Sequence, residues 1–271
     1  MRSGFRRGLE WILLDTHIWV SAAAAGLTLF AASALGLPQR LAPMGAVFSA
    51  TMLIYAVDDI FDGRMRSQPG RWLTVLLGAG SLSGQLLLAP VVITVTVTVG
   101  AIPALLYGVP IRGRRLRELP AVKPFFVAGS LTVAAIVIPV LWAWSQGGPV
   151  PPASTMMMIG SILLVLVLCN VCFFDLRDRV ADDRDGIRTI PVCLGMSGTR
   201  SLCLWLALGV ALLTLSSGDP WRGPAIAAAL ATAAYCRLLQ TPGRRLETAL
   251  VVDGVPVLLG VMVLAVRGGS G

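Results

Sequence analysis

The chain has 271 residues, of which 56% are apolar and only 13% charged, with a formal net charge of +8. Soluble domains carry about 25% charged residues, so a water-soluble enzyme with a polar shell is excluded, as are a disordered chain and a collagen-like repeat. With a mean hydropathy of +0.80, the composition suits a lipid bilayer as solvent.

A membrane span needs about 20 predominantly apolar residues. In chain order such stretches lie near 17–36, 43–60, 72–88, 90–110, 122–145, 153–174, 198–216, 221–240 and 248–266. They predict an all-α membrane protein, a single domain over 1–271 built as a bundle of about nine transmembrane helices. Pro90 divides the long apolar run 72–110, because proline is tolerated in a helix's first turn but not in its interior. The basic opening MRSGFRRGLEWILLDTHIW has no small-residue cleavage site followed by a soluble domain. It reads as an arm entering the first helix and not as a signal peptide.

Charge sets the orientation. With the N-terminus cytoplasmic, the loops near 61–71, 111–121, 175–197 and 241–247 fall inside. Those loops, their helix ends and the N-terminal arm hold every Lys and Arg except Arg40, Arg222 and Arg267. That asymmetry follows the positive-inside rule and predicts a multi-pass protein of the cell's inner membrane. The surplus positive charge then reflects topology and anionic head groups, and no soluble basic surface exists for a nucleic acid.

Eight of the 14 acidic residues fall in two clusters: Asp58, Asp59 and Asp62, then Asp175, Asp178, Asp182, Asp183 and Asp185. Each follows an apolar helix at its expected cytoplasmic end. Asp58 and Asp62 are four apart and share a helical face; Asp178 and Asp182 repeat the spacing, with Asp175 on the same stripe. Like charges so arranged repel, and they persist most easily when a hard cation compensates them. Mg²⁺ prefers such oxygens and bridges carboxylates to substrate phosphates. Basic residues accompany the acids: Arg64, Arg66 and Arg71; Arg177, Arg179, Arg184 and Arg188; and, in a third inner loop, Arg112, Arg114, Arg115, Arg117 and Lys123. Arginine and lysine with Mg²⁺ are the usual means of stabilising phosphate oxygens as a leaving group. A single mixed cluster reads equally as a solvated face with local ion pairs. Two matched clusters on the inner ends of even-numbered helices favour a site, and they look like an internal repeat of two halves.

Other residues weigh less. Cys169 and Cys172 form a C-x-x-C inside an apolar helix with no second ligand pair, so they read as buried thiols. His17, the lone histidine, reads as structural at the start of the first helix. Asp253, inside the last apolar stretch, is a functional suspect because intramembrane acids are expensive. Met156 to Met158, and the alanine runs, read as packing.

At its acidic motifs the sequence resembles the UbiA superfamily of intramembrane prenyltransferases. The run DLRDRVAD followed by GIRTIPVCLG is similar to the family's D-x-R-D-x-x-x-D and G-x-x-T-x-P-V-x-L-G. Asp58 and Asp62 fit the two aspartates of N-x-x-x-D-x-x-x-D, with Ile54 where the family has asparagine. Gln68-Pro69-Gly70-Arg71 is similar to its N-P-x-R, and Tyr107 before the arginine-rich loop to its Tyr-then-Lys/Arg segment.

The resemblance implies Mg²⁺ held by Asp58, Asp62, Asp175, Asp178 and Asp182, of which Asp58, Asp62, Asp178 and Asp182 are expected to be catalytic. Arg71, Arg115, Lys123 and Arg188 are expected to bind diphosphate. The implied reaction draws diphosphate from a prenyl diphosphate and passes the resulting allylic cation to a hydrophobic acceptor, aromatic or lipid, within the bilayer. Tyr55, Phe61, Tyr107, Phe173 and Phe174 are candidates to steady the cation. Asp-Asp-Ile-Phe-Asp also reads as the D-D-x-x-D of soluble terpene synthases, so a membrane-bound terpene cyclase is the alternative. A cation-coupled transporter is a third, disfavoured because transporter acids usually sit near the midplane on broken helices.

Overall fold

A short helical segment, Gly8–Asp15, with a π-helical turn over Trp11–Asp15, meets α1 (Ile18–Ala34) at 48°. His17 stands at the bend with a left-handed backbone, φ 57°. There follow α2 (Leu41–Phe61), α3 (Arg71–Leu88), α4 (Val91–Gly108), α5 (Val122–Ser145) and α6 (Ala153–Arg184), then α7 (Ile190–Leu215), α8 (Arg222–Leu238), α9 (Arg245–Val252) and α10 (Gly254–Gly268). This computed structural model describes all residues except 1–5, 7, 62–70, 110–115, 117, 118, 120, 121, 185, 216, 217, 240–244 and 269–271, and leaves the side chains of 105, 245, 267 and 268 undescribed. Among the described residues there are helices and turns but no strands.

The all-α bundle expected from the apolar pattern is therefore found, and each apolar stretch is helical. The count of spans is less simple. Six helices are long and apolar enough to cross a bilayer: α2, α4, α5, α6, α7 and the run Leu246–Val266, with α1 a seventh when joined to the bent segment before it. Helix α8 has only 17 residues. Helix α3 is diluted by Gly78, Gly80, Ser81, Ser83, Gly84 and Gln85. Part of its polar side is paired internally: Gln85 Nε2 donates to Ser49 Oγ on α2 at 2.9 Å and to Ser81 Oγ at 3.1 Å. Leaving such groups unpaired in hydrocarbon would cost several kcal/mol.

The main core is shared by α1, α5, α6, α7, α8 and α10, with Phe30, Ile159, Ile162, Leu163, Phe173 and Leu259 essentially inaccessible. Leu76, Leu87, Leu88, Trp205 and Leu212 point outward, as lipid-facing side chains do. Helix α7 starts at Ile190, before the expected 198, and Gly195 (φ 68°, ψ 179°) interrupts its path. Helix α10 returns to pack on α1, closing the bundle. The crossing is backbone on backbone: a Cβ at Gly260 would stand 2.7 Å from Gly26 Cα, and one at Gly26 would strike the Pro256 carbonyl.

The last apolar stretch is broken, for a local reason. Pro256 has no N–H, so the carbonyl four residues back, that of Val252, lacks its helical donor. Asn170 Nδ2 of α6 donates to that carbonyl instead, at 3.1 Å, and the Tyr235 hydroxyl of α8 donates to Asn170 Oδ1 at 2.5 Å. The turn between α9 and α10 therefore falls at Asp253, locked to two other helices.

Candidate functional site

Helix α2 runs to Phe61, so Tyr55, Asp58 and Asp59 lie on its final turns. Neighbouring helical residues diverge by about 100°, and the two aspartates meet different surroundings. Asp59 is 2% exposed and receives a hydrogen bond from Arg71 Nη1 at 2.5 Å. His17 Nε2 lies 2.9 Å from the same oxygen. Arg71, also buried, donates through Nη2 to Asp15 Oδ1 at 2.9 Å. A compact cluster of two acids, an arginine and the histidine thus ties the N-terminal arm and the first residue of α3 to the end of α2. Buried charges persist when paired and hydrogen-bonded like this.

Asp58 is partly exposed and faces the end of α4, where a Cβ at Gly108 would approach its Oδ1 to 3.0 Å. One residue earlier, Tyr107 stacks flat on Phe126 of α5, with centroids 4.6 Å apart. The ends of α2, α4 and α5 therefore meet on one side of the acidic region.

The second stripe lies on α6, which stays helical to Arg184, so Asp175, Asp178 and Asp182 do share a face. Asp175 is 2% exposed and accepts from Lys123 Nζ at 2.5 Å. Its other oxygen, Oδ2, is buried without a hydrogen-bond partner among the described residues. Lys123, on the first turn of α5, is within Coulombic reach of Asp178 and Asp182 as well. Asp178 holds the Arg177 guanidinium through two bonds, 2.9 and 3.1 Å, and that guanidinium stands 5.9 Å from the Phe174 ring centroid.

The two acidic regions approach each other around Tyr55, which is within Coulombic reach of Asp58, Asp175 and Asp253 and lies 5.6 Å from the His17 ring. Of the residues singled out in the sequence, Asp58, Asp175, Asp178, Asp182 and Lys123 gather at one end of the bundle. Asp62 and Arg115 lie outside the described residues. Arg71 turns to Asp59 and Asp15, and Arg188 is exposed between α6 and α7.

The donor chemistry suits a hard divalent cation: carboxylate oxygens alone, one of them buried without a hydrogen bond. Among the described residues, however, no three His, Cys, Asp or Glu side chains close on one point. The cluster built on Asp59, and the Asn170 bridge, were not foreseen. Their only sequence signals are unexplained polar residues in apolar company: Asp15, His17 and Asn170.

No family model and no curated protein matches the sequence. The fold has known counterparts. A UbiA homolog from Aeropyrum pernix K1, in its apo form, aligns with a TM-score of 0.66 and 16% identity, over 92% of this chain and 98% of that one. A digeranylgeranylglyceryl phosphate synthase aligns with a TM-score of 0.54 and 14% identity, over 94% and 95%. The chain has the UbiA fold.

Proposed function

We propose that this protein is a Mg²⁺-dependent prenyltransferase of the UbiA superfamily, working at the cytoplasmic end of a multi-pass bundle in the cell's inner membrane. The observation that carries the reading is the meeting of two acidic regions, Asp58 on α2 and Asp175 on α6, around Tyr55 with Lys123 beside them. Neither region alone would distinguish a site from a solvated face. The orientation rests on the one-sided distribution of Lys and Arg.

In this reading Asp58, Asp62, Asp175, Asp178 and Asp182 hold Mg²⁺. The ion supplies positive charge where the diphosphate oxygens gain negative charge as the C–O bond breaks. Lys123 adds a point charge at the α6 stripe, and Arg115 and Arg188 are assigned to the same anion. Arg71 acts on the site by fixing the direction of α2 through Asp59. The prenyl tail runs along apolar helix faces, and Tyr55, Tyr107 and Phe126 offer ring faces to the allylic cation. The acceptor is an aromatic or lipid molecule.

The terpene-cyclase alternative uses Asp58-Asp59-x-x-Asp62 as one metal motif. Asp59 weighs against it, since its carboxylate is committed to Arg71 and His17.

The test is purified protein in detergent with Mg²⁺ and prenyl diphosphates of 10, 15 and 20 carbons, with and without acceptors, the products read by mass spectrometry. The expected result is diphosphate release and a prenylated acceptor, both stopped by chelation. No diphosphate release under any condition would overturn the reading, and a cyclic hydrocarbon made without acceptor would replace it with the alternative.

A further inference from the structure

We infer that Asp253 is the base of this site, and that the acceptor carries a hydroxyl whose proton Asp253 removes. The inference rests on the prenyl-transfer reading and extends it to the second substrate.

Asp253 is 91% buried by its 9% exposure, yet no hydrogen bond or ion pair from the described residues reaches its carboxylate. A buried carboxylate in an apolar helix is costly, and such residues are kept where they do something. The helix break that carries it is built. Pro256 frees the Val252 carbonyl, Asn170 captures it, and Tyr235 holds Asn170. On the other side the Trp19 indole N–H donates to the Ala249 carbonyl at 2.9 Å. Asp253 is thus fixed from α1, α6 and α8 while its own oxygens stay uncommitted.

Its depth matters. The Val252 carbonyl is level with Asn170, and Asp175 follows Asn170 by five residues, about 7.5 Å further toward the helix end at about 1.5 Å per residue. Tyr55, within Coulombic reach of Asp253, precedes Asp58 by three residues, about 4.5 Å by the same rise. Asp253 therefore lies inward of both acidic regions. With the diphosphate at the stripes, the first carbon of the chain and the attacking atom fall on the inward side, where Asp253 stands.

The step balances without a further reagent. The acceptor's electron pair forms the bond to the first prenyl carbon, and the carbon–oxygen bond breaks with its pair leaving on diphosphate. The acceptor's hydroxyl proton passes to an Asp253 oxygen and later to water.

The test compares wild-type protein with Asp253→Asn, supplying a 20-carbon prenyl diphosphate, Mg²⁺ and either 1-naphthol or a monoalkylglycerol; the two arms distinguish a phenol from a lipid alcohol. The readout is the ratio of prenylated acceptor to hydrolysed prenyl alcohol, which does not depend on how much protein is folded. General bases contribute about 10²–10⁴-fold, so the ratio is expected to fall at least about 100-fold in Asp253→Asn. The O-methyl ether of the acceptor is expected to take no chain from the wild type. Should Asp253→Asn fail to accumulate, Asp253→Ser carries the same expectation. An unchanged ratio in either variant overturns the base while prenyl transfer stands. Equal prenylation of the methyl ether, or diphosphate release with neither acceptor prenylated, overturns the hydroxyl acceptor. No diphosphate release from wild type overturns the underlying reading and this inference with it.

Discussion

Arg71 Nη1 lies 2.5 Å from Asp59 Oδ2, and both side chains are at least 95% buried by their exposures of 5% and 2%. Breaking such a pair by removing one partner leaves an uncompensated buried charge and costs about 3–5 kcal/mol. Arg71→Met and Asp59→Leu are each expected to lower stability by that much in denaturant unfolding in micelles. The double variant, which removes both charges, is expected to recover part of the loss, with Asp15 still lacking its Arg71 partner. Additive losses would show that the two residues do not act as a pair.

The acids of the stripe behave differently, because Asp178 is 42% exposed and its partner Arg177 is its chain neighbour. Exposed pairs contribute about 0–1 kcal/mol, so Asp178→Ala is expected to leave the thermal midpoint nearly unchanged. Diphosphate release is expected to fall at least about 100-fold, the scale of losing a group that stabilises developing charge. Asp58→Ala is expected to do the same. Wild-type turnover in either variant would remove that residue from the site.

The Asn170 bridge gives a graded series. Tyr235→Phe removes one hydrogen bond and is expected to cost about 0.5–1.5 kcal/mol, whereas Asn170→Leu strands the Val252 carbonyl and is expected to cost about 1–3 kcal/mol. Unfolding midpoints of the two variants give the order. If Asn170→Leu were the milder change, the carbonyl would have found another donor.

Gly260→Val tests the closing contact between α1 and α10. The first added carbon already meets Gly26 Cα at 2.7 Å, a backbone atom that cannot rotate aside. Overpacking costs about 1–3 kcal/mol where side chains can shift, and at least the upper end is expected here. Gly80→Val, where a Cβ meets nothing within 4 Å, is the control and is expected to be tolerated.

The helices were legible because apolar length and Pro90 are one-dimensional signals. The same holds for the α6 stripe, since Asp175, Asp178 and Asp182 meet by helical periodicity alone. What escaped were pairings across the bundle. In the sequence Asp59 is one more member of the first acidic cluster; only the fold shows that it points to Arg71, twelve residues on, and to His17, forty-two back. The break at Asp253 was half legible. Pro256 predicts a carbonyl without its donor, but a hydrophobic window averages over it, and nothing in the sequence says that Asn170 will supply the bond. The span count drifted for a related reason: Ser81 and Gln85 dilute α3, and only their contact with Ser49 explains how the helix bears them.

The seam between Gly26 and Gly260 also has a temporal meaning. Gly26 leaves the ribosome long before Gly260, so α1 enters the membrane with one face uncovered and waits for its partner through most of translation. Asp253 rides on the arriving segment, three residues ahead of Pro256, whose carbonyl lies against Gly26. A nascent chain can therefore have both acidic stripes in place at the ends of α2 and α6 before the segment that carries Asp253 has arrived. Whatever reactive species the finished protein handles, the unfinished one is not yet shaped to make it.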